Sequence, residues 1–178
     1  MGRSKPLLPL GPKPVIRHCL DSVMGSGIRD VVVVLGEDGE AIAGAIDGMP
    51  VKTAYNREPR SDMAESVRTG LREIDAASTG VLVCLSDHPL VSSETVRSLF
   101  NVHAELPGWI IIPLYQGRRG HPTLFPRIII QDIFNGTTLR DVITTHAGAV
   151  RTVEVDDEGV ILDLDTPEDY ERIKGRFT

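Results

Sequence analysis

Short apolar runs alternate with stretches of helical period along the whole chain, a pattern that places strands between crossover helices. Val15–Met24 carries apolar residues at helical spacing and stops at Gly25 and Gly27, which predicts a helix. Val31–Leu35 is a continuous β-branched run, as in a strand covered on both faces. Glu40–Ile46 reads as a short helix and Val51–Tyr55 as the next strand. Met63–Ile74 is helical, with Met63, Val67, Leu71 and Ile74 on one stripe. Gly80–Leu85 is a buried strand that ends at Ser86-Asp87-His88-Pro89. Ser92 or Ser93 then caps a helix to about Ala104, Trp109–Leu114 is a strand, and a loop bearing glycine and arginine covers Gln116–Pro122. Arg127–Phe134 and Thr137–His146 are predicted as two helices separated by Asn135-Gly136. Val150–Val155 and Val160–Leu164 are expected to close the sheet, joined by the polar turn Asp156–Gly159. Thr166 caps a final helix with Pro167 at its first position and Glu168 and Asp169 in its first turn. The expected fold is α/β: one three-layer, Rossmann-like domain over residues 1–178 with a mostly parallel sheet.

The net charge of −6 argues against nucleic acid or an anionic membrane as the main partner, while leaving a phosphorylated small molecule open. Cys19 and Cys84 are the only cysteines, each inside an apolar segment, and are expected as two reduced core thiols. No apolar run approaches the roughly 20 residues that span a bilayer. Met1–Leu10 is basic but too rich in proline for a secretory signal, so a cytoplasmic protein is expected.

Open α/β sheets bind ligands at the carboxyl ends of their strands, and three clusters fall there. In Leu85–Pro89, Asp87 directly follows a buried strand on a proline-stiffened turn. One carboxylate there suits Mg²⁺, which takes few protein oxygens together with substrate phosphates; a helix-leading turn with a solvated aspartate is the competing reading. In Leu162–Asp169, Asp163 and Asp165 are expected on opposite faces of a strand end, one toward the site and one supporting the next helix. In Tyr115–Pro122, glycines allow close backbone approach and Arg118 and Arg119 could hold a charged group; a plain turn with solvated arginines competes.

Other chemistries lack their motifs. Gly36-Glu37-Asp38-Gly39 replaces any G-x-G-x-x-G after Val31–Leu35, no G-x-S-x-G elbow occurs, and Cys and His stand at no zinc spacing. His18, His103 and His146 fall on or near predicted helices, in capping or solvated roles, and His88 and His121 matter as neighbours of the clusters.

Lys5-Pro6-Leu7-Leu8-Pro9-Leu10-Gly11 with Pro14, Val31–Gly36, Asn56, Met63 with Ser66, Asp87 with Pro89, Gly117–Pro122 and Asp163–Asp169 follow one another in an order that resembles the molybdenum-cofactor nucleotidyltransferases (MobA/MocA-like), in the branch that includes molybdopterin cytidylyltransferases. The resemblance spans nearly the whole chain. "GRRGHP" and "DLDTPEDY" are its more specific parts. It implies transfer of a nucleoside monophosphate from CTP or GTP onto a molybdopterin-type cofactor, with Mg²⁺ as cofactor and pyrophosphate released. It also implies a molybdoenzyme or its chaperone as partner. By that resemblance Asp87 is a metal ligand with Asp163 or Asp165 as second acidic partner, and Lys5 contacts the nucleotide phosphates, making Lys5 and Asp87 the catalytic pair. Gly2, Asn56, Met63 and Ser66 lie near the nucleotide, and Arg118, Arg119, Gly120 and His121 near the acceptor. In-line attack on an α-phosphorus needs positioning and charge neutralisation more than a protein base, which a metal and a lysine supply.

The alternative is a shortened or degenerate, non-catalytic relative that binds cofactor or a partner protein. A sugar- or polyol-phosphate nucleotidyltransferase on a similar fold is a further rival. Two departures from the resemblance stand out. Relatives open with a strand and a loop like L-A-A-G-x-S-x-R-M-G-x-x-K, of which Met1-Gly2-Arg3-Ser4-Lys5 matches the last part. Asp62 precedes Met63 where relatives carry glycine, and Asn135–Arg140 stands for a G-D-x-G-A-R stretch. The central strand of such folds would lie between Val31–Leu35 and Gly80–Leu85. Four fillers are conceivable: Met1–Leu10, which Pro6 and Pro9 disfavour; a second chain; closure of the two neighbours; or an upstream segment, which is the expectation preferred.

Overall fold

In the computed structural model, which describes residues 4–58 and 62–177, the chain opens with a 3-10 turn, Lys5–Leu7, and a small antiparallel pair, β1 (Pro9–Leu10) and β2 (Lys13–Pro14), turned at Gly11 with φ 59. α1 (Val15–Gly25) follows. β3 (Val32–Leu35) and β4 (Lys52–Tyr55), joined through α2 (Gly39–Ala45), pair in parallel from Val32↔Lys52 to Leu35↔Tyr55. α3 (Met63–Glu73) is capped by Asp62, whose side chain accepts from the Glu65 N–H at 2.9 Å. β5 (Gly80–Val83) leads to α4 (Ser93–Glu105), capped by Ser92. Then come β6 (Ile110–Tyr115), β7 (Arg118–Arg119), β8 (Thr123–Pro126), α5 (Arg127–Ile130), α6 (Leu139–Thr145), β9 (Val150–Glu154) and α7 (Pro167–Lys174).

β5, β8, β6 and β7 form one sheet in that order, and β9 lies parallel to β6. The architecture is the expected α/β arrangement, on a sheet that is mixed: β3–β4 and β6–β9 pair in parallel, while β5–β8, β8–β6 and β6–β7 pair antiparallel, where a mostly parallel sheet was expected. Strand alternation divides its core. Val33 and Leu35 of β3 face α1, clustering with Ile16, Leu20 and Val23, whereas Val34 faces α3, where a Cβ on Gly70 would sit 3.1 Å from its Cγ2. Val81 of β5 packs with Ala64 and Leu71 of α3. The opposite face of β5 carries Leu82, which packs against the α4 clusters around Val96 and Leu99. Among the described residues no helix is long and apolar enough to cross a membrane.

Several expectations are corrected. β8 is an unexpected strand: Thr123-Leu124-Phe125-Pro126 is too short, and too tightly bracketed by prolines, to show a period, yet all four residues are buried and run antiparallel between β5 and β6. Arg127–Phe134 is not one helix, because α5 passes into a 3-10 helix, Gln131–Asn135, that Gly136 ends at φ 80. Val160–Leu164 forms no strand. A 3-10 helix, Glu158–Ile161, occupies its first half, and the Leu164 N–H then bonds the Asp87 carbonyl at 3.0 Å. Met63 leaves the predicted stripe, since at the first helical position it is 55% exposed while Ala64, Gly70 and Leu71 take the buried side. Of the two thiols, which are both free, Cys19 is buried but Cys84 is exposed.

Candidate active site

Three segments meet at the carboxyl end of β5. The first is the turn carrying Asp87. Its carboxylate Oδ1 accepts from His88 Nδ1 at 2.8 Å, and His88 is itself buried. The His88 hydrogen bond, against the opposing effect of burial and with further help from Lys5, holds the Asp87 carboxyl below its ordinary value.

The second segment is the approach to α7. Lys5 Nζ donates to Asp165 Oδ1 at 2.7 Å. That bond, opposed by burial and reinforced by the charges of Asp165, Asp87 and Asp163, raises the lysine's pKa. Both aspartates therefore act on one lysine. Side chains two apart in an extended chain return to the same side, and the buried side belongs to Leu162 and Leu164. The expectation that Asp163 and Asp165 face opposite ways is thus overturned.

The third segment is the β6–β7 hairpin and its exit. Gln116 and Gly117 turn it with φ 47 and 78, two positive values in succession as tight hairpins prefer. Arg118 and Arg119 are exposed on β7, opposite Tyr115 and Leu114. Gly120 follows with its N–H bonded to the Pro113 carbonyl at 2.9 Å, and a Cβ there would lie 2.3 Å from the Val160 carbonyl oxygen. His121 donates its backbone N–H to the same Val160 oxygen at 2.8 Å. Its ring stands edge-on to His88 with centroids 5.3 Å apart, and its Nδ1 is buried without a hydrogen-bond partner among the described residues. Burial first, then His88, lowers the His121 pKa, while Asp87 and Asp163 oppose. A Cβ on Gly159 would meet the Leu90 backbone at 2.5 Å, so the second and first segments also fit without a gap.

The structure thus brings together Lys5, Asp87, Asp163, Asp165 and His121. Asn56, Met63 and Ser66 form a separate group at the end of β4 and the start of α3. Asn56 continues the ladder through its N–H to the Leu35 carbonyl at 2.8 Å, and its Nδ2 donates to Ser66 Oγ at 3.1 Å. Asp62, beside them, is engaged as the α3 cap. Gly2 lies outside the described residues. The partnership of His88 with Asp87 escaped sequence reasoning, although adjacency to an acid after a buried strand was its signal. Among the described residues no three His, Cys, Asp or Glu side chains converge to close a metal site alone. An arrangement of carboxylates around a lysine suits a hard cation that completes its shell with substrate oxygens.

A profile of the MobA-like NTP transferase domain matches residues 1–150. Nicotine blue oxidoreductase of Paenarthrobacter nicotinovorans is 27% identical over 97% of this chain and 89% of its own. The bifunctional protein GlmU of Sorangium cellulosum is 31% identical over 54% of this chain, which covers only 22% of that protein. The chain spans 22% to 28% of the length of four GlmU proteins that it matches. Among solved structures, Rv0371c from Mycobacterium tuberculosis H37Rv superposes with a TM-score of 0.86 at 27% identity, covering 98% of this chain and 90% of that one. The same protein in complex with manganese gives 0.83.

Proposed function

The chain belongs to the MobA-like NTP transferase family, and from that premise we propose that it is a Mg²⁺-dependent nucleotidyltransferase moving a nucleoside monophosphate from CTP or GTP onto a molybdopterin-type cofactor, with release of pyrophosphate. The observation that carries this reading is the single lysine, Lys5, held in the field of Asp165, Asp87 and Asp163 at the carboxyl end of β5. Asp87, with Asp163 or Asp165, would hold the cation, which would supply neutralisation of the phosphate charge there. That a manganese complex exists for the similar Rv0371c supports a divalent ion.

The residues around it have distinct tasks. His88 binds one oxygen of Asp87 and so fixes the direction of the other. Lys5 exchanges Asp165 for phosphate oxygens as the nucleotide arrives; Gly2, expected from the sequence to join it, lies outside the described residues. Asn56, Met63 and Ser66 flank the nucleotide. Arg118, Arg119, Gly120 and His121 receive the acceptor, the arginines meeting its phosphate. A molybdoenzyme or its chaperone takes the product.

Titration with CTP and with GTP, each with and without Mg²⁺, tests the reading. At least tenfold tighter binding of one nucleotide in Mg²⁺, and pyrophosphate release once a molybdopterin-type acceptor is added, is the expected result. Mg²⁺-dependent binding without pyrophosphate release would favour the non-catalytic alternative. The oxidoreductase relative, which matches nearly the whole chain, motivates a second reading as an oxidoreductase. Binding of a redox cofactor in place of either triphosphate would favour it.

A further inference from the structure

The polar turn expected at Asp156–Gly159 is organised by one carboxylate. Half-buried Asp157 accepts the Ser92 N–H at 2.9 Å and the Thr95 hydroxyl at 2.6 Å on Oδ2, and the Gly159 N–H at 2.9 Å on Oδ1. Hydrogen bonds to an ionised acceptor are the stronger kind. Ser92 and Thr95 sit at the start of α4, but α4 has its own cap, since Ser92 Oγ accepts the Thr95 N–H at 3.1 Å. The Asp157 bonds are thus additional to capping, and they fasten a second stretch of chain to that turn.

Both stretches lead to acids of the candidate site. Asp87 lies just ahead of Ser92 in the chain, and Asp163 and Asp165 lie just beyond the Glu158–Ile161 turn that Asp157 caps. The two stretches join again where the Leu164 N–H bonds the Asp87 carbonyl at 3.0 Å. Between these ties a Cβ on Gly159 would fall 2.5 Å from the Leu90 backbone. On the other side of the turn, fully buried Val160 receives the His121 N–H on its carbonyl at 2.8 Å. Residues 87–95 and 157–164 therefore make a closed frame, with Asp157 at one end and the bond between Leu164 and Asp87 at the other.

We propose that Asp157 is a positioning residue for metal selectivity: by holding this frame closed it sets the spacing between Asp87 and Asp163 or Asp165, and that spacing favours a small divalent cation over a large one. The proposal deepens the reading of those aspartates as cation ligands and rests on it. Mg²⁺ requires oxygens at about 2.0–2.1 Å in near-ideal octahedral geometry, whereas Ca²⁺ accepts them at about 2.3–2.6 Å in flexible arrangements. A frame that cannot widen meets the first demand, and one that breathes meets only the second. Asp157 acts through the backbone alone, because its hydrogen bonds run to Ser92, Thr95 and Gly159 and to none of the other aspartates.

Mn²⁺ binding to the full chain without nucleotide, read from the free-ion electron paramagnetic resonance signal, supplies the test. Displacement by Mg²⁺ or by Ca²⁺, below the unfolding temperature of every variant, gives the ratio of the two affinities. Asp157→Asn keeps the side chain's shape but has one accepting oxygen, so it cannot serve N–H groups on both sides. It should weaken Mg²⁺ about tenfold and Ca²⁺ no more than about twofold. Thr95→Val, which removes a hydroxyl and leaves both backbone bonds to Asp157, should shift the ratio in the same direction by a smaller factor. Thr95→Ser should keep the parent's ratio. So should Asp141→Asn, which removes the capping acid of α6 away from this frame. An unchanged ratio in Asp157→Asn and Thr95→Val, equal weakening of both ions, or the same shift in Asp141→Asn would overturn the proposal and leave the cation reading standing. Mn²⁺ binding that is absent from the unaltered chain, or that survives Asp87→Asn unweakened, would remove the cation reading and the proposal with it.

Discussion

At the level of single residues, two kinds of position separate cleanly: those that carry charge at the site and those that let backbones touch. Asp87 is a half-buried acid on a turn, so its replacement removes charge and one hydrogen bond with His88 but little core volume. Asp87→Asn should weaken Mg²⁺-dependent nucleotide binding by at least tenfold, with the melting temperature within a few degrees of the parent. Titration at limiting Mg²⁺ checks this, and full retention of binding would remove Asp87 from the metal site. Gly120 is the opposite case. Its missing Cβ is what allows the Val160 carbonyl within reach of the loop, and the obstacle is backbone, which no rotamer change relieves. Gly120→Ala should cost about 1–3 kcal/mol by overpacking, read in urea unfolding. An alanine there with unchanged stability would mean that the hairpin exit and the Glu158–Ile161 turn are not locked together.

At the level of elements, β7 offers the clearest separation of binding from stability. Arg118 and Arg119 are exposed and opposite the end of β6, so their joint replacement by alanine should raise the acceptor's KM or lower kcat while the melting temperature stays nearly constant. A large stability loss would return the loop to a structural role. The same elements show what the chain's pattern disclosed. Helices α1 and α3 were legible from their apolar period, and α4 and α7 from the capping serine and threonine ahead of them; Thr166 and Asp169 form a reciprocal box. β8 was illegible because four residues between prolines carry no period, and only its neighbours on both sides make it a strand. Val160–Leu164 misled for the converse reason: its apolar run is real, but it serves three-dimensional contacts at Gly159 and Asp87 rather than a ladder. Asp87 was readable from its place after a buried strand. The pairing of Lys5 with Asp165, 160 residues apart, was not, since only the closed fold brings the two ends of the chain together.

At the level of the whole molecule, the titrating groups set the pH window in which the fold is most stable. His103, buried on α4 against β5, has its pKa lowered from 6.5 by burial, and His121 is lowered for the same first cause. A histidine depressed in the folded state is protonated first in the unfolded chain, so its contribution is intact above pH 6.5 and is lost as pH falls toward the folded value. A thiol acts at the other end. Burial raises Cys19 from 9.0 to about 12, so the unfolded chain ionises first and stability declines as pH rises above 9.0. The hydrogen-bonded carboxylates, Asp141 and Asp169 among them, contribute stability that is intact above their ordinary value of 3.8 and is lost as pH falls below it. The expected profile of melting temperature is therefore a plateau between about pH 6.5 and 9.0 that falls on both sides. His103→Gln, which keeps a side chain of similar size against Gly80 but removes the proton site, should flatten the slope between pH 7 and 5 relative to the parent, whatever it does to the plateau height. Cys19→Ala should likewise reduce the alkaline fall. Thermal unfolding across that range decides the matter: an unchanged acid slope in His103→Gln would show that this ring titrates alike in the folded and unfolded chain, and that its burial carries no cost of charge.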